Sequence, residues 1–188
     1  DMACGQVRLS DDFEESVDEW SIFNGHDDDW LVTEGDDPRL CYQGKGGDLL
    51  LANKSNGSDY VVSANANLDS GQAYGIFFRA TINENQQVEG YSFTYDPGYK
   101  GGRLLIQKWV NGYEIHPPIA STYPPKNFDW RDVDRHVEID VTGNQFTASI
   151  DGEQVLVGND DTYSEGSAGL RLWNGAKACF DNFSVNSP

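Results

Sequence analysis

The chain has 188 residues, a length at which one domain is the default and two small domains are the alternative. Thirteen basic and 31 acidic side chains give a net charge of −18, which argues against nucleic acid or an anionic membrane as a partner, because both need a basic surface. Apolar residues at 38% and aromatic residues at 12% are enough for a core and too many for a disordered chain.

Short β-rich runs recur along the chain and are separated by turn signals such as Asn24-Gly25, Asn111-Gly112 and Asp151-Gly152. Several runs alternate apolar and polar residues, which predicts antiparallel strands in an all-β sandwich. The predicted strands are Tyr60–Leu68, Tyr74–Ile82, Tyr91–Tyr95, Leu104–Val110, Val137–Val141 and Phe146–Ile150. The proline-rich segment from Tyr113 to Trp130 predicts one long loop or an excursion along a sheet edge.

The alternation also assigns side chains to faces of the predicted sheets. Ile76 and Phe78 share one face of their strand, which leaves Arg79 on the other face. In the next strand we assign the three rings of the run 91–95 to the core, because rings bury more apolar area than hydroxyl groups and a carboxylate. Asp96 then lies on the polar face, and a simple meander makes the strands of Arg79 and Asp96 neighbours.

The run Leu170-Arg171-Leu172-Trp173 alternates in the same way near the end of the chain. We assign the two leucines to the core, so that Arg171 and Trp173 face outward together. The alternation of the run 104–110 does not decide which of its faces is buried, and therefore leaves the orientation of Trp109 open.

Five motifs occur in a familiar order. They are Asp11-Asp12-Phe13-Glu14, Trp30-Leu31-Val32-Thr33-Glu34-Gly35, Gly75-Ile76-Phe77-Phe78-Arg79, Asp151-Gly152, and the run 168–175 leading to Phe180-Asp181-Asn182-Phe183. From Asp11 to Val185 the chain resembles the concanavalin A-like lectin/glucanase jelly roll. Within that group it is most similar to carbohydrate-binding modules of family 66, which are non-catalytic and attached to enzymes that degrade fructans and other polysaccharides.

The resemblance implies an all-β, two-sheet antiparallel jelly-roll sandwich spanning residues 1–188 as one domain, with 186–188 as the stub of a linker. It also implies a pocket for a terminal sugar, built from acidic, arginine and tryptophan side chains. The residue types suit this role, because rings pack on the C–H face of a sugar and a forked guanidinium binds two adjacent hydroxyl oxygens. The expected sugar-binding residues are Glu34, Arg79, Asp96, Arg171, Trp173 and Trp109, with Tyr113 as a further candidate. The alternative is that Arg79 and Asp96 form only a salt bridge and that Trp173 packs under a loop.

Catalysis is the main functional alternative. Many jelly-roll hydrolases use a Glu-x-Asp-x-x-Glu strand, and Glu138-Ile139-Asp140 begins this motif, but Gly143 occupies the position of the second Glu. We therefore interpret these carboxylates as solvated, and the strand motifs of alginate-lyase-like enzymes are also missing. The three histidines are scattered, at His26, His116 and His136. We predict a non-catalytic module, with a jelly-roll glycoside hydrolase or polysaccharide lyase, and then a laminin-G-like interaction domain, as alternatives.

Lectin-like jelly rolls often bind a structural Ca²⁺ between the N-terminal and last strands through hard oxygen ligands. The resemblance implies Asp12 and Asp181 as its ligands, with ordinary capping carboxylates as the alternative. The acidic runs Asp27-Asp28-Asp29 and Asp160-Asp161 are interpreted as solvated, given the overall charge.

The three cysteines, Cys4, Cys41 and Cys179, allow one disulfide in three pairings, or three unpaired thiols. The acidity and ring content favour a secreted, extracellular protein. No signal peptide is found, but a start at Asp1 is typical of a mature or excised module. The expected partners are a polysaccharide or oligosaccharide and a covalently attached catalytic domain, with the module itself monomeric.

Overall fold

The computed structural model describes residues 7–14, 17–45, 47–173 and 175–188. Within these ranges the chain forms antiparallel strands and one short 3-10 helix, Asp27–Asp29. The strands are β1 (Val7–Asp11), β2 (Trp20–Phe23), β3 (Trp30–Val32), β4 (Leu40–Tyr42), β5 (Leu49–Ala52), β6 (Tyr60–Ser70), β7 (Tyr74–Ile82), β8 (Val88–Asp96), β9 (Arg103–Val110), β10 (Tyr113–Glu114), β11 (Ala120–Thr122), β12 (Arg135–Thr142), β13 (Gln145–Ile150), β14 (Glu153–Asn159), β15 (Ser167–Leu172) and β16 (Lys177–Asn186). None of the helical structure in these ranges is long and apolar enough to cross a membrane.

The strands form two sheets. The first has the order β14-β13-β12-β6-β16-β4-β3, with β1 paired to β16. The second has the order β10-β9-β8-β7-β15-β5-β2, with β11 paired to β9. Strands distant in sequence lie side by side, as where β15 separates β7 from β5, and the pairs are antiparallel. The predicted all-β, two-sheet antiparallel jelly-roll sandwich is confirmed.

The main core lies between the two sheets and is rich in aromatic rings. Tyr91, Phe93 and Tyr95 of β8 are all buried in it, together with Ile76 and Phe78 of β7. The predicted faces of both strands are therefore correct. The residues that alternate with these core residues along β7 and β8 point to the outer face of the second sheet. The outward residues of β15 lie on the same face.

The segment that connects β9 to β12 contains all four prolines of the predicted loop and runs along the edge of the second sheet. Both of its short strands pair with β9, where Tyr113 lies opposite Val110 and Ala120 lies opposite Ile106. The prediction of an edge excursion is confirmed. Its consequence for the site is that β10 places Glu114 opposite Trp109.

A disulfide joins Cys41 to Cys179, at directly paired positions of β4 and β16. The structure thus selects one of the three possible pairings, and the interpretation of three unpaired thiols is wrong. Cys4 lies outside the described residues. The bond links strands whose cysteines are 138 residues apart in sequence.

Candidate functional site

The outer face of the second sheet carries a second apolar cluster. Phe77 of β7 and Trp109 of β9 belong to it, together with Leu49 and Leu51 of β5. Trp109 is only 2% exposed. Both faces of β9 are therefore buried, which explains why alternation alone did not orient Trp109. Trp173 packs against this cluster and is partly exposed.

Arg171 lies on this face and packs against two neighbouring indole rings, whose centroids are 6.2 Å apart. Its guanidinium carbon is 4.6 Å from the centroid of Trp109 and 5.5 Å from that of Trp173. The side chain is partly exposed, while its buried Nε has no hydrogen-bond partner in the described part of the chain. The leucines on either side, Leu170 and Leu172, are in the main core. The predicted pairing of Arg171 and Trp173 on one outward face is confirmed.

A directional chain of hydrogen bonds connects the two indoles. The indole N–H of Trp109 donates to Oγ of Ser92 at 2.9 Å, and Ser92 lies 3.3 Å from the hydroxyl of Thr94. Thr94 donates to Oε1 of Gln107 at 2.9 Å, and the Gln107 amide donates to Oε2 of Glu114 at 2.9 Å. Each group in this chain donates its hydrogen to the next one, and the Glu114 carboxylate is the final acceptor.

Trp173 reaches the same carboxylate from the other side. Its indole N–H donates to Oε1 of Glu114 at 3.1 Å. Each of the two oxygens of Glu114 therefore accepts one bond from the protein, and each retains a free lone pair. The Glu114 side chain is 23% exposed, and Nε2 of His116 lies 3.9 Å from Oε2.

The charge of Arg171 is set by burial and by nearby acids. Burial lowers the pKa of its guanidinium, and the negative charges of Glu114 and Asp48 partly offset this effect. Arginine nevertheless stays protonated in proteins. The cluster therefore offers a cation with unused donors, a carboxylate with unused acceptor capacity and a partly exposed indole, within one small area.

Sequence reasoning missed Glu114. The residue follows the turn signal at Asn111-Gly112, but no strand was predicted in the proline-rich segment after it, which was interpreted as a loop or an edge excursion. The pairing of β10 with β9 could have been derived from that turn, since a tight turn after Val110 brings Glu114 opposite Trp109.

Arg79 does not lie on the outer face, contrary to the prediction. It has a φ of 46° at a register irregularity between β7 and β8, and a bulge of this kind redirects the side chain. The buried guanidinium is enclosed at one end of the sandwich. Its hydrogen-bond acceptors are the carbonyl oxygens of Ser58, Tyr163 and Gly143 and the carboxylate of Asp59.

The alternative interpretation, a salt bridge between Arg79 and Asp96, is also wrong, since Arg79 pairs with Asp59. The strands of Arg79 and Asp96 are neighbours, but Asp96 lies next to the pair formed by Tyr74 and Tyr95, and Arg79 lies five residues further along β7. This separation is about 17 Å along a strand. Asp96 is 4% exposed and accepts from the backbone N–H groups of Gly98 and Tyr99, and from Gln72. Burial raises its pKa. We therefore assign it to the turn that follows β8.

Two further candidates lie outside the Arg171 cluster. Glu34 is exposed in the loop after β3, which belongs to the first sheet, so it is not brought to the outer face of the second sheet. Tyr113 is adjacent to Glu114 and is 71% exposed. Its role in sugar binding stays a prediction.

The two expected metal ligands make local hydrogen bonds. Asp12 is exposed and accepts from the backbone N–H of Glu14, and both carboxylate oxygens of Asp181 accept from Asn182. Throughout the described ranges, no three side chains of His, Cys, Asp or Glu come together as metal ligands. The capping alternative accounts for these contacts.

Comparisons with known proteins agree with the fold and with the resemblance seen in the motifs. A family model described as a 3-keto-alpha-glucoside-1,2-lyase-like domain matches residues 7–186. A levanase of Bacillus subtilis (strain 168) is 25% identical over 169 residues, which cover 89% of this chain and 23% of the levanase. The chain thus spans about a quarter of the length of that relative.

Solved structures give the same picture. The carbohydrate binding module CBM66 from Bacillus subtilis superimposes with a TM-score of 0.73 and 25% identity, covering 90% of this chain and 96% of that one. A protein of unknown function with a galectin-like fold, also from Bacillus subtilis, gives a TM-score of 0.75 at 14% identity, with coverage of 97% and 96%. A β-glucanase of Bacillus licheniformis gives 0.66 at 10% identity and covers both chains fully. The similarity to the lectin/glucanase jelly roll and to family 66 modules is confirmed.

Proposed function

Because the chain belongs to the 3-keto-alpha-glucoside-1,2-lyase-like domain family, and because a carbohydrate-binding module shares its fold, we propose that it binds carbohydrate without cleaving it. The observation that carries this proposal is the environment of the Arg171 guanidinium, which packs on aromatic rings and has an unpaired hydrogen-bond donor. The rings are those of Trp109 and Trp173, and the donor is the buried Nε, which has no hydrogen-bond partner within the described chain. A partly buried charged group of this kind is stable only if a ligand or water accepts its hydrogen bonds.

The surrounding groups match the chemistry of a sugar. Arg171 offers two adjacent donors to vicinal hydroxyl oxygens, and Glu114 accepts from hydroxyl groups through its remaining lone pairs. The partly exposed ring of Trp173 is suited to the apolar C–H face of the same residue. The hydrogen-bond network through Gln107 holds Glu114 in place before a ligand arrives, which reduces the entropy lost on binding.

The module acts as a targeting domain for a polysaccharide-degrading enzyme. Its similarity to a quarter of a levanase supports attachment to a catalytic domain in a secreted protein. The resemblance to family 66 modules supports a pocket for a terminal sugar, with a fructan or another plant or microbial polysaccharide as ligand. On this proposal Arg171, Trp173 and Glu114 contact the sugar, and Trp109 positions Arg171.

Affinity electrophoresis and titration calorimetry with levan, inulin, β-glucan, pectin and alginate test the proposal. We expect retardation by at least one neutral polysaccharide, and loss of retardation in Arg171→Ala and Glu114→Gln. Arg39→Ala is the matched control, since it removes an arginine that pairs with Asp134 on the first sheet. Binding that survives both site variants would reject this site. Short and long inulins of equal mass distinguish chain ends from internal stretches, because the short ones carry more ends.

The same experiment decides between the module and an enzyme. The family description names a lyase, and the β-glucanase shares the fold, so the products of each incubation are analysed by chromatography. Release of new sugars by the isolated chain would establish catalysis. Glu138 and Asp140 are both exposed on β12, as expected for solvated carboxylates. If the chain neither binds nor cleaves any of these polysaccharides, the protein-interaction alternative is favoured.

A further inference from the structure

A cavity of about 430 Å³ opens between the turn after β2, the short 3-10 helix and the loop before β5. Asn24 and Gly25 line one side, Asp29 of the 3-10 helix lines another, and Lys45 and Asp48 line the third. The acidic run 27–29, which the sequence suggested to be solvated, therefore contributes one member to a concave surface. Asp27 and Asp28 are exposed, whereas Asp29 is half-buried.

Asp48 is the unusual group in this cavity. Its side chain is completely buried, and Oδ1 accepts a hydrogen bond from the hydroxyl of Tyr42 at 3.1 Å. Its second oxygen, Oδ2, has no hydrogen-bond partner in the described chain. The indole nitrogen of Trp30 is near but is also without a partner that meets hydrogen-bond geometry. A desolvated carboxylate oxygen without a donor is strongly unfavourable, so a further group is needed at this position.

The backbone is shaped around the two carboxylates. A Cβ at Gly25 would lie 1.9 Å from Oδ2 of Asp48, and a Cβ at Gly44 would lie 2.5 Å from Cγ of Asp29. The carboxylates themselves occupy the space of both Cβ atoms, so only glycine fits beside each of them. The Tyr42 hydroxyl, which donates to Asp48, also lies beside Gly44, since the same Gly44 Cβ would be 2.4 Å from it.

The charge around the cavity is predominantly negative. The carboxylates of Asp29 and Asp48 lie close enough for their negative charges to interact, and His26 partly offsets the negative charge around Asp48. The two carboxylates thus repel each other in a partly desolvated place, with Asp27 and Asp28 on the same turn. Lys45 and His26 are the basic side chains that line the cavity.

We propose that this cavity binds a divalent cation of the calcium type through the carboxylates of Asp29 and Asp48. Calcium takes six to eight oxygen ligands and accepts carboxylates, amides, backbone carbonyls and water. Asn24 and the backbone of Gln43 and Gly44 line the same cavity and can supply the remaining protein oxygens. The site differs from the one expected at Asp12 and Asp181.

The position of the site gives it a structural role. The cation links the turn after β2 to the loop between β4 and β5, both at the end of the second sheet. The carbonyl oxygen of Asp48 accepts from the backbone N–H of Leu172 at 3.1 Å, directly beside Arg171. Binding at Asp48 therefore stabilises the edge of the sheet from which Arg171 projects, although the proposal does not depend on sugar binding.

Calorimetric titration with CaCl₂ and thermal unfolding of the full chain in EDTA, CaCl₂ or MgCl₂ test the site. We expect a binding isotherm for Ca²⁺, and a melting temperature several degrees higher in CaCl₂ than in EDTA. Asp48→Asn preserves the shape of the side chain and keeps an acceptor for Tyr42. Asp29→Asn changes a less buried residue and is the second variant in case Asp48→Asn does not fold. Both variants should lose the response to Ca²⁺.

Asp28→Asn is the matched control, because it removes the same charge from an exposed position on the same turn. It should keep the wild-type response. Equal melting temperatures in EDTA and CaCl₂, with no heat of binding, would overturn the proposal. Oδ2 of Asp48 would then carry a proton or accept a hydrogen bond from the Trp30 N–H. The proposal would also be overturned if Asp28→Asn lost the response to Ca²⁺ as fully as the two site variants, or if Mg²⁺ raised the melting temperature as much as Ca²⁺. Either result would show that general screening of negative charge by a divalent ion explains the stabilisation.

Discussion

The indole N–H of Trp173 donates to Oε1 of Glu114, although the two residues belong to opposite parts of the second sheet. Three strands, β7, β8 and β9, lie between β15 and β10. On a flat sheet four spacings of about 4.8 Å would separate the two backbones by about 19 Å, which is further than these side chains reach. The sheet must therefore curl around its outer face, and the concave surface so formed contains Arg171.

Trp173→Ala should abolish or greatly weaken sugar binding while the fold is retained. Trp173 is partly exposed and contacts the outer cluster and not the main core. Removal of a ring of this size from a ligand contact costs about 1.5–3 kcal/mol, which is roughly a tenfold to a hundredfold loss of affinity. Titration calorimetry against the best polysaccharide measures the loss, and circular dichroism confirms the fold. Tyr123→Ala is the control, because it removes another exposed ring, which stacks on the guanidinium of Arg103. Undiminished affinity of Trp173→Ala would exclude this ring from the site.

Gly75→Ala should reduce sugar affinity without removing any contacting group. Trp173 lies over Gly75, and an added Cβ would be 3.0 Å from Cη2 of the indole and 3.2 Å from the carbonyl oxygen of Phe93. The ring must shift by a few tenths of an ångström, which also disturbs its bond to Glu114. We expect a smaller loss than in Trp173→Ala, measured by calorimetry. If the affinity is unchanged, the position of the indole does not matter for binding.

The alternation of residues in the sequence was sufficient for much of the fold. The strand Tyr74–Ile82 was predicted with its observed ends, and β12 extends the predicted run 137–141 at both ends. Alternation also placed Arg171 and Trp173 on one outward face, because Leu170 and Leu172 have to be buried. Local patterns of this kind depend on one strand alone, which is why they could be derived from sequence.

Features that depend on several strands could not be derived. The bulge in β7 turns Arg79 away from the outer face, and nothing in its alternating pattern signals the extra residue. Glu114 joins the site only because β10 pairs with β9 and the sheet curls. Asp48 precedes a run of three leucines, where nothing indicated a buried carboxylate. These contacts are set by register and curvature, which a single strand does not encode.

Removal of the disulfide by the double variant Cys41→Ser and Cys179→Ser should destabilise the fold by about 2–5 kcal/mol, mainly because the unfolded chain regains the freedom of a long loop. The two cysteines are 138 residues apart, so the restricted loop is most of the chain. Urea unfolding with and without reductant measures the change. Wild-type protein in reductant should match the double variant, and a variant as stable as the oxidised wild type would show that the bond does not contribute.

A partly buried hydrogen-bond network around Asp160 supports the back of the candidate site. Asp160 accepts from the hydroxyl of Tyr91 at 2.7 Å, from Lys108 Nζ at 2.9 Å and from the backbone N–H of Thr162 at 2.9 Å. The hydroxyl of Tyr163, in the same loop, donates to the carbonyl oxygen of Trp109 at 2.9 Å. Burial tends to raise the pKa of Asp160, but the hydrogen bonds from Lys108, Thr162 and Tyr91 outweigh it, and the pKa is held well below its usual range.

This lowered pKa makes a specific part of the stability dependent on pH. Above the unfolded-state pKa of about 3.9 the contribution of Asp160 is complete, and it is lost as the pH falls from there through the lower folded-state pKa, because the unfolded chain takes up the proton first. Asp160→Asn should therefore lower the free energy of unfolding at pH 7 by about 1.5–3 kcal/mol and flatten its decline below pH 4. Urea unfolding at pH 7, 4 and 3 measures both effects. Asp161→Asn, a neighbouring exposed carboxylate, should change neither, and an equal effect of the two variants would attribute the result to net charge alone.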